Sequence, residues 1–262
     1  MAAEFSNILY EVRGAVATVT INRPDRLNTL STATLVELRR ATEKILSDAQ
    51  VRAAVIMGAG EKAFAAGADI AELAKLDAAE AKRFAELGQG VFNLIEGGGK
   101  PFIAAVNGYA FGGGCELALA CILRIASENA RLAQPEIKLG IITGFGGSQR
   151  LVRIVGKTRA AELCLFGEPI DADTAMQWGL VNRVVPQSVL AAEAAALAEK
   201  VAAHSPLALK YTLEAINRAA DVPLAEGQAH EATLFGLSFA SEDMKEGIRA
   251  FLEKRKPEFK GK

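Results

Sequence analysis

The sequence predicts an α/β fold, and two observations support this prediction. The spacing of apolar residues changes repeatedly along the chain between every second position, typical of strands, and every third or fourth, typical of helices. Half of the 262 residues are hydrophobic and the net charge is −1, so the chain can bury a large core as one domain or as a domain with an appendage. Strands that alternate with helices along such a chain form an α/β core.

The first part of the chain shows a strand, a helix and a strand in turn. Residues 15–21 alternate apolar and polar as a strand does, and Ser31 is typical of the N-cap of a helix with one apolar face. The apolar run at 53–57 predicts a buried strand, which ends at residues 58–60 with their two glycines. This order begins the alternation on which the fold prediction depends.

Two more rounds of the same pattern follow in the middle of the chain. A short helix and a longer one at about 79–95 lead to a strand at 102–106. A helix that contains Glu116 comes next, and short strands are expected at 122–126 and 131–133. A glycine-rich loop and further helix complete the predicted core.

The last part of the chain has a different pattern. From about Pro186 onward the strand signals end, and helices broken at Pro206 and Pro223 follow. We divide the chain into 1–200, the α/β core with the active site, and 201–262, a C-terminal helical region. This helical region is the appendage that the composition allows.

Composition argues against several classes of function. The near-neutral charge, with no basic patch interleaved with aromatic residues before the C-terminal tail, makes nucleic-acid binding unexpected. No apolar run approaches the roughly 18 residues of a membrane helix. The first seven residues contain an acid and no basic amphipathic stretch, which favours a cytoplasmic protein. Three cysteines and two histidines without ligand spacing favour reduced thiols and no metal site.

Three familiar motifs are absent or incomplete, which reduces the number of reaction types that the sequence supports. Residues 156–158 end like a phosphate-binding loop but lack its first glycine, and are expected to form a turn before a helix. Residues 146–150 fail the serine-hydrolase motif because Arg150 stands where its last glycine is required. No dinucleotide-binding glycine pattern follows a strand. Acid–base chemistry by carboxylates is the class that these failures leave.

Two glutamates twenty residues apart are the strongest indication of function. Glu116 follows three glycines and opens an apolar run, and Glu136 ends the segment 133–136. Two buried carboxyls that face one cavity shift each other's pKa, so that one donates a proton while the other holds or activates water. Without that pairing, Glu116 is interpreted as a helix-start carboxylate stabilised by the helix dipole.

Junctions that contain glycine supply a candidate electrophilic group. Residues 64–69 and 112–114 each join a strand to a helix, where backbone N–H groups remain free. Two such donors form an oxyanion hole, in which each stabilises an enolate by about 3–4 kcal/mol. The alternative, for either run alone, is a tight turn that needs small residues. Asp69 is expected to cap the next helix, and Asn107 and Arg150 to form structural hydrogen bonds.

Five segments taken together resemble the enoyl-CoA hydratase (crotonase) family: 22–28, 63–69, 104–116, 134–136 and 146–150. Their order and spacing make the resemblance specific, and it spans essentially the whole chain. It implies an α/β fold built as a crotonase-like spiral of ββα units, with a C-terminal helical region used for trimerisation. A homotrimer, or a hexamer made of two trimers, is therefore expected.

The resemblance also implies roles for individual residues. The thioester oxygen is expected between the backbone N–H groups of Ala68 and Gly113. Glu136 is expected to give and take a proton, and Glu116 to hold and activate water with help from the amide of Gly144. Water then adds across a trans-2-enoyl-CoA to give a 3-hydroxyacyl-CoA. Coenzyme A is part of the substrate, and no cofactor or metal is expected.

The presence of both acids distinguishes between activities within the family. Isomerases of this kind generally use one acid, so Glu116 together with Glu136 favours hydration. An isomerase or a hydratase-lyase of the same fold is the alternative, and an RNA-binding relative is a remote one. Thr143 and Phe145 stand where many hydratases have proline and a smaller residue, which leaves the acyl-chain length open.

Four further residues are expected by resemblance to contact coenzyme A. Two of them are Ala66 and Arg26, the latter next to Asp25, which stands where some members have a lysine. Phe251 and Lys254 belong to the C-terminal tail and are expected to reach the adenine and phosphate end, in the same or a neighbouring subunit. Taken alone, that tail is typical of a solvated amphipathic helix.

Overall fold

The computed structural model describes residues 5–262, which form two β-sheets and ten helices. Residues 1–4, on which part of the expectation about targeting rests, lie outside the described residues. The strands are β1 (Ile8–Arg13), β2 (Val16–Ile21), β3 (Ala53–Gly58), β4 (Ala63–Ala66), β5 (Phe102–Val106), β6 (Tyr109–Phe111), β7 (Leu123–Ser127), β8 (Arg131–Ala133), β9 (Ile170–Asp171) and β10 (Arg183–Val185). The helices are α1 (Thr32–Ser47), α2 (Ile70–Leu73), α3 (Ala78–Gly97), α4 (Gly113–Ala120), α5 (Gly147–Phe166), α6 (Ala172–Gln177), α7 (Leu190–Ala202), α8 (Pro206–Ala219), α9 (Leu224–Ser238) and α10 (Glu242–Leu252).

The two sheets are built from strands that alternate between them. The larger sheet has the order β1-β2-β3-β5-β7-β10, and the smaller one has the order β4-β6-β8-β9. The pairs β1–β2 and β8–β9 are antiparallel, and the other neighbouring strands are parallel. From β3 to β8, each pair of consecutive strands places one strand in each sheet, and helices return the chain after each pair. This repeat confirms the predicted α/β fold and its spiral of ββα units.

The larger sheet is covered on both faces. Helices α1 and α3 contribute to the main hydrophobic core on one face. Helix α7 packs on the other face, where Leu190, Ala194 and Ala198 join a second buried cluster. The strand β3 lies within this sheet, and all but one of its residues are buried. Burial on both faces explains why residues 53–57 form a continuous apolar run instead of an alternating one.

Two helix starts and one structural contact are found where the sequence predicts them. Ser31 caps α1 by accepting a hydrogen bond from the N–H of Thr34. Asp69 caps α2 by accepting one from the N–H of Ala71. Asn107 both donates to and accepts from the backbone of residue 58 between β3 and β5. These contacts confirm the capping and structural roles that the sequence predicts.

Three strands and one turn differ from the expectation. No strand is predicted at β1, β9 or β10: β1 is an edge strand with mostly exposed positions, and β9 and β10 have only two and three residues. The turn expected at 156–158 is a single break at Gly156 inside α5, with φ 79° and ψ 167°. Because glycine adopts this conformation easily, the chain changes direction there without ending the helical segment.

The C-terminal helices differ from the core in how much they bury. The predicted boundary at residue 200 falls near the end of α7, which packs on the larger sheet and stops at Ala202. Helices α8 and α9 each bury a single residue and leave large apolar side chains exposed, among them Ile216 and Phe235. Phe239, directly after α9, is exposed as well. Among the helices described here, none combines the length and the apolar character needed to cross a bilayer.

Candidate active site

One edge of the smaller sheet carries the segments singled out for chemistry. The strands β4, β6 and β8 run parallel, and their last residues are in register, with Ala66 paired to Phe111 and Phe111 to Ala133. Because the strands are parallel, the chain leaves all three at the same edge. Segments that are far apart in sequence are therefore close together there.

The residues that follow these strands line one cavity of about 500 Å³. Strand β4 leads to Ala68, β6 leads to Gly113 and Glu116, and β8 leads to Glu136. Gly144, in the loop before α5, also lines the cavity. The structure thus brings together the five residues that the sequence assigns to hydration. The rest of the lining is mainly apolar and comes from α2, α3 and the loop before Gly144.

A glycine at the start of α4 lets the two carboxyl-bearing segments approach each other. Gly112 has φ 47° and ψ −121°, a conformation that side chains oppose. A Cβ at this position would lie 2.4 Å from Oε1 of Glu136. Glycine is therefore required both by the backbone conformation and by the carboxyl packed against it.

Two backbone N–H groups at this edge are turned away from their local partners. Leu30 donates to the carbonyl of Gly67 and accepts from the N–H of Asp69. The N–H of Ala68, which lies between these two, therefore takes no part in the pairing with Leu30. Gly113 is the first residue of α4, where the N–H has no partner within the helix. Ala66 and Phe111 are paired at the ends of β4 and β6, and Ala68 and Gly113 each come two residues later. The register therefore places Ala68 and Gly113 side by side.

Glu116 is almost completely buried, with 1% of its surface exposed. Its Oε1 accepts two backbone hydrogen bonds, from the N–H of Phe145 at 2.8 Å and from the N–H of Gly147 at 2.6 Å. Burial, and to a lesser extent the neighbouring Glu136, raises the pKa of Glu116 to about 7, although the two hydrogen bonds favour the charged form. The carboxyl is held in one orientation and titrates near neutral pH.

Glu136 has different surroundings. It lies in the 3₁₀ turn Pro135–Leu139, and its buried Oε2 has no hydrogen-bond partner within residues 5–262. Burial raises the pKa of Glu136 above its ordinary value, against the effect of a backbone hydrogen bond. Because burial disfavours the charged carboxylate and Oε2 has no donor to offset this, Glu136 is suited to carry a proton.

Sequence reasoning missed the amides that hold Glu116. Phe145 and Gly147 donate to it, whereas the amides singled out from the sequence are those of Ala68, Gly113 and Gly144, none of them as a partner of this carboxyl. A Cβ on Gly147 would lie 2.9 Å from Cγ of Glu116, so this close approach requires glycine. The glycine pair at 146–147 is the available signal, but in the sequence it is interpreted only as part of the incomplete hydrolase motif and of the family resemblance, without a contact to Glu116.

A buried arginine supports the loop that holds Glu116. Arg150 donates to the carbonyl of Phe145 at 3.0 Å. It also donates to Glu96 at 2.8 Å and to Asn93 at 2.7 Å, both on α3. These bonds tie the loop to the long helix α3, and they confirm the structural role expected for Arg150.

The four residues expected to contact coenzyme A lie in two places. Ala66 lines the cavity, and Arg26 ends a 3₁₀ turn in the segment before α1. Phe251 is 82% exposed near the end of α10, and Lys254 follows that helix with φ 55°. In the described chain, the second pair belongs to the helical region and does not line the cavity of the same subunit. Contact of all four residues with coenzyme A stays a prediction.

Comparison with known proteins gives a consistent result. The profile of the enoyl-CoA hydratase/isomerase family matches residues 11–262. A short-chain-enoyl-CoA hydratase of Clostridium acetobutylicum is 47% identical over 97% of this chain and 98% of its own length. A crotonyl-CoA hydratase of Syntrophomonas wolfei is 46% identical over the same shares of the two chains. The crystal structure of an enoyl-CoA hydratase from Bacillus anthracis superposes with a TM-score of 0.95 at 40% identity, covering 98% of this chain and 100% of that one.

Proposed function

The chain belongs to the enoyl-CoA hydratase/isomerase family, and from this premise we propose that it is an enoyl-CoA hydratase, which adds water reversibly to the trans-2 double bond of an enoyl-CoA. The product is a 3-hydroxyacyl-CoA, and coenzyme A takes part only as a portion of the substrate. The observation that carries the proposal is the cavity at the edge of the smaller sheet. Two buried carboxyls with different surroundings line this cavity together with Ala68 and Gly113, whose N–H groups we assign to the thioester oxygen.

The N–H groups of Ala68 and Gly113 act as the electrophile. Both donate to the thioester oxygen, which gains negative charge as water attacks the β carbon. Removing one such donor costs about 10²- to 10³-fold in rate in comparable sites. The start of α4 adds to the effect, because the positive end of the helix dipole lies at the same oxygen.

The two carboxyls share one proton during the reaction. The water oxygen forms its bond to the β carbon while the π electrons move toward the α carbon and the thioester, and a water proton passes to Glu116. Glu136 gives its proton to the α carbon, so the pair still holds one proton when the product has formed. Exchange with solvent returns the proton to Glu136, and the reverse order of steps eliminates water.

The surroundings of the carboxyls support this division of roles. Two amides already bind Oε1 of Glu116, which orients its other oxygen toward the water. Nε2 of Gln89 donates to the carbonyl of Gly144 at 2.8 Å, and this carbonyl shares its peptide plane with the N–H of Phe145, so the bond helps to fix one of the two amides that hold Glu116. The place of Gly144 in the cavity lining supports its own amide as a second contact for the water. Glu136 lacks a donor at Oε2 within the described chain, which leaves this oxygen available to hold the proton that passes to the α carbon.

We also propose that the active form is a homotrimer, or a hexamer of two trimers, assembled through α8 to α10. Large apolar side chains such as Ile216 and Phe235 are exposed on these helices, and such surfaces mark protein contacts. A neighbouring subunit then brings Phe251 and Lys254 to the coenzyme A bound beside Ala66. The balanced charge and the unpaired cysteines of the sequence support a cytoplasmic location.

The loss of enoyl-thioester absorbance tests the proposal. We expect the purified protein to hydrate crotonyl-CoA to 3-hydroxybutyryl-CoA, identified by mass and chromatography. A folded protein that binds coenzyme A thioesters but hydrates no trans-2-enoyl thioester would contradict the hydratase assignment. Rearrangement of a 3-enoyl thioester without addition of water would instead favour an isomerase, and cleavage of a hydroxycinnamoyl thioester to an aldehyde would favour a hydratase-lyase.

A further inference from the structure

We propose that Phe145 and Gly88 form a pair that sets the length of the acyl group accepted beside the two carboxyls. This inference rests on the proposed hydratase function and gives the ring of Phe145 a role in specificity, separate from that of its amide. Phe145 lines the cavity, and Gly88 lies behind its ring on α3. The first residue limits the space for the substrate, and the second leaves room for the ring.

The ring of Phe145 is clamped at its two edges by glycine positions. A Cβ on Gly88 would lie 2.2 Å from Cδ1 of the ring, and a Cβ on Gly113 would lie 3.0 Å from Cδ2. The ring is therefore held between α3 and the start of α4. Only 3% of Phe145 is exposed, so the ring has little freedom to swing out of the cavity wall.

Two further aromatic rings hold Phe145 in place. The ring centroid of Phe84 lies 5.2 Å away with the planes at 58°, and that of Phe92 lies 5.5 Å away at 85°. Tilted and edge-on contacts of this kind are favourable for aromatic pairs. Phe84 also lines the cavity, whereas Phe92 is fully buried behind it. Phe145 and Phe84 are thus large and rigid side chains on this wall.

This wall stands beside the proposed chemistry. The amide of Phe145 donates to Glu116, so the side chain begins next to the carboxyl assigned to water. The ring also packs against Gly113, whose N–H is assigned to the thioester oxygen. A thioester bound by that N–H has its β carbon near Glu116, and the carbons beyond it extend toward the ring.

The remaining residues that line the cavity give less resistance to a longer acyl chain. On α3, Ala81 and Ala85 present small side chains to the cavity. Ile70 and Ile142 also line it, but they are 53% and 82% exposed, so they can shift into solvent. Phe145 is therefore the fixed limit, and the protein favours short acyl groups. One methylene in an apolar pocket changes kcat/KM by about 10- to 200-fold, so removal of this ring has a measurable effect.

The test compares wild type, Phe145→Ala and Phe92→Ala on crotonyl-, hexenoyl-, octenoyl- and decenoyl-CoA. Both variants remove one ring from the same aromatic cluster and weaken core packing, but only Phe145→Ala enlarges the cavity. We expect the ratio of kcat/KM for octenoyl-CoA to that for crotonyl-CoA to rise at least about tenfold in Phe145→Ala. The ratio is expected to stay at the wild-type value in Phe92→Ala. Leucine at the same two positions provides a milder pair if either alanine variant fails to fold.

Gly88→Ala tests the pair from behind the ring. The added Cβ pushes the ring of Phe145 toward the substrate, so turnover of octenoyl-CoA is expected to fall more than turnover of crotonyl-CoA. Adding Phe145→Ala to the same chain removes the clash and should reverse that selective loss. A loss that is equal for both substrates would mean that Gly88 affects folding alone and would remove it from the pair.

An unchanged ratio in folded Phe145→Ala, or an equal rise in Phe92→Ala, would overturn the proposal. Calorimetric binding of butyryl-CoA and octanoyl-CoA separates this failure from a failure of the hydratase assignment. If wild type hydrates no enoyl thioester, the hydratase assignment fails, but the inference about acyl length still requires the affinity for octanoyl-CoA, relative to that for butyryl-CoA, to rise in Phe145→Ala. If wild type is an active hydratase and neither ratio moves, the inference about acyl length is wrong and the hydratase assignment stands.

Discussion

The start of α4 and the 3₁₀ turn after β8 each present one glutamate to the same cavity, yet their surroundings are opposite. Glu116 is 1% exposed and receives two amide donors on one oxygen. Glu136 has a buried oxygen that meets no donor within residues 5–262. The comparison teaches that the backbone around a carboxyl can give two residues of the same type different environments, and the roles that we propose for the two glutamates rest on this difference.

Replacing either carboxyl is expected to have the largest effect on activity and tests directly whether both groups are needed. Glu116→Gln and Glu136→Gln are each expected to lower kcat/KM for crotonyl-CoA by about 10²- to 10⁴-fold, because each removes one proton-transfer group at almost constant size. The double variant should lose little more than the worse single variant, because the two groups act as a unit. Glu128→Gln, at an exposed glutamate, is the control. Multiplicative losses in the double variant would argue against a shared proton.

Gly147→Ala sharpens the comparison because the new Cβ presses directly on Glu116, as well as on the side-chain amide of Gln134 at 2.7 Å, and on no atom of Glu136 among its three nearest neighbours. The new Cβ would lie 2.9 Å from Cγ and 3.0 Å from Oε1 of Glu116, so the carboxyl has to move. We expect kcat for crotonyl-CoA to fall about 10- to 100-fold, as when reacting groups are misplaced in other enzymes. Gly97→Ala at the exposed end of α3, whose added Cβ meets no described atom within 4 Å, should keep full activity. Equal losses in the two variants would point to a general effect on folding.

The pH dependence of stability reports the environment of Glu116 without any substrate. Burial, and then Glu136, raises the pKa of Glu116 from 4.5 to about 7 in the folded protein. Between these values the folded state binds more protons than the unfolded state, so the free energy of unfolding falls as the pH rises from about 4.5 to 7. Urea denaturation across this range should show a smaller fall in Glu116→Gln. Parallel curves for the two proteins would show that the carboxyl does not titrate as described.

Substitutions remote from both glutamates are expected to have the smallest effects on activity, and to change substrate binding only. Phe251→Ala and Lys254→Ala should raise KM for crotonyl-CoA about two- to fivefold, the range of exposed contacts, and leave kcat unchanged. Crotonyl-pantetheine lacks the nucleotide of coenzyme A, so both variants should process it as wild type does. The same change in KM with both substrates would rule out a contact with the nucleotide.

Much of the fold could be predicted because its signals are local. The cap at Ser31 and the buried run at 53–57 depend on short stretches of sequence, and the structure confirms both. The strands β9 and β10 could not be predicted in the same way, because two or three residues are too few to show an alternating pattern. They form only where an existing strand offers free hydrogen-bonding groups, which is a property of the folded chain.

The candidate site likewise contains groups that a local sequence signal indicates and groups that only the folded chain reveals. Glu116 and Glu136 could be found because a carboxyl beside glycines or in an apolar run is chemically conspicuous. The amides of Phe145 and Gly147 could not be found in this way, because a backbone donor has no side-chain signature. These two contacts also span 29 and 31 residues, so only the folded loop reveals them.

Hydrogen exchange at the α carbon of butyryl-CoA in deuterated water tests the division of roles most directly. This thioester has no double bond, so no water needs to be activated, and only the proton carrier and the oxyanion donors take part. Followed by NMR, Glu116→Gln is expected to exchange the α hydrogens at a rate close to that of wild type, and Glu136→Gln to lose the exchange. Retention of exchange in Glu136→Gln together with its loss in Glu116→Gln would contradict the assignment of the two carboxyls.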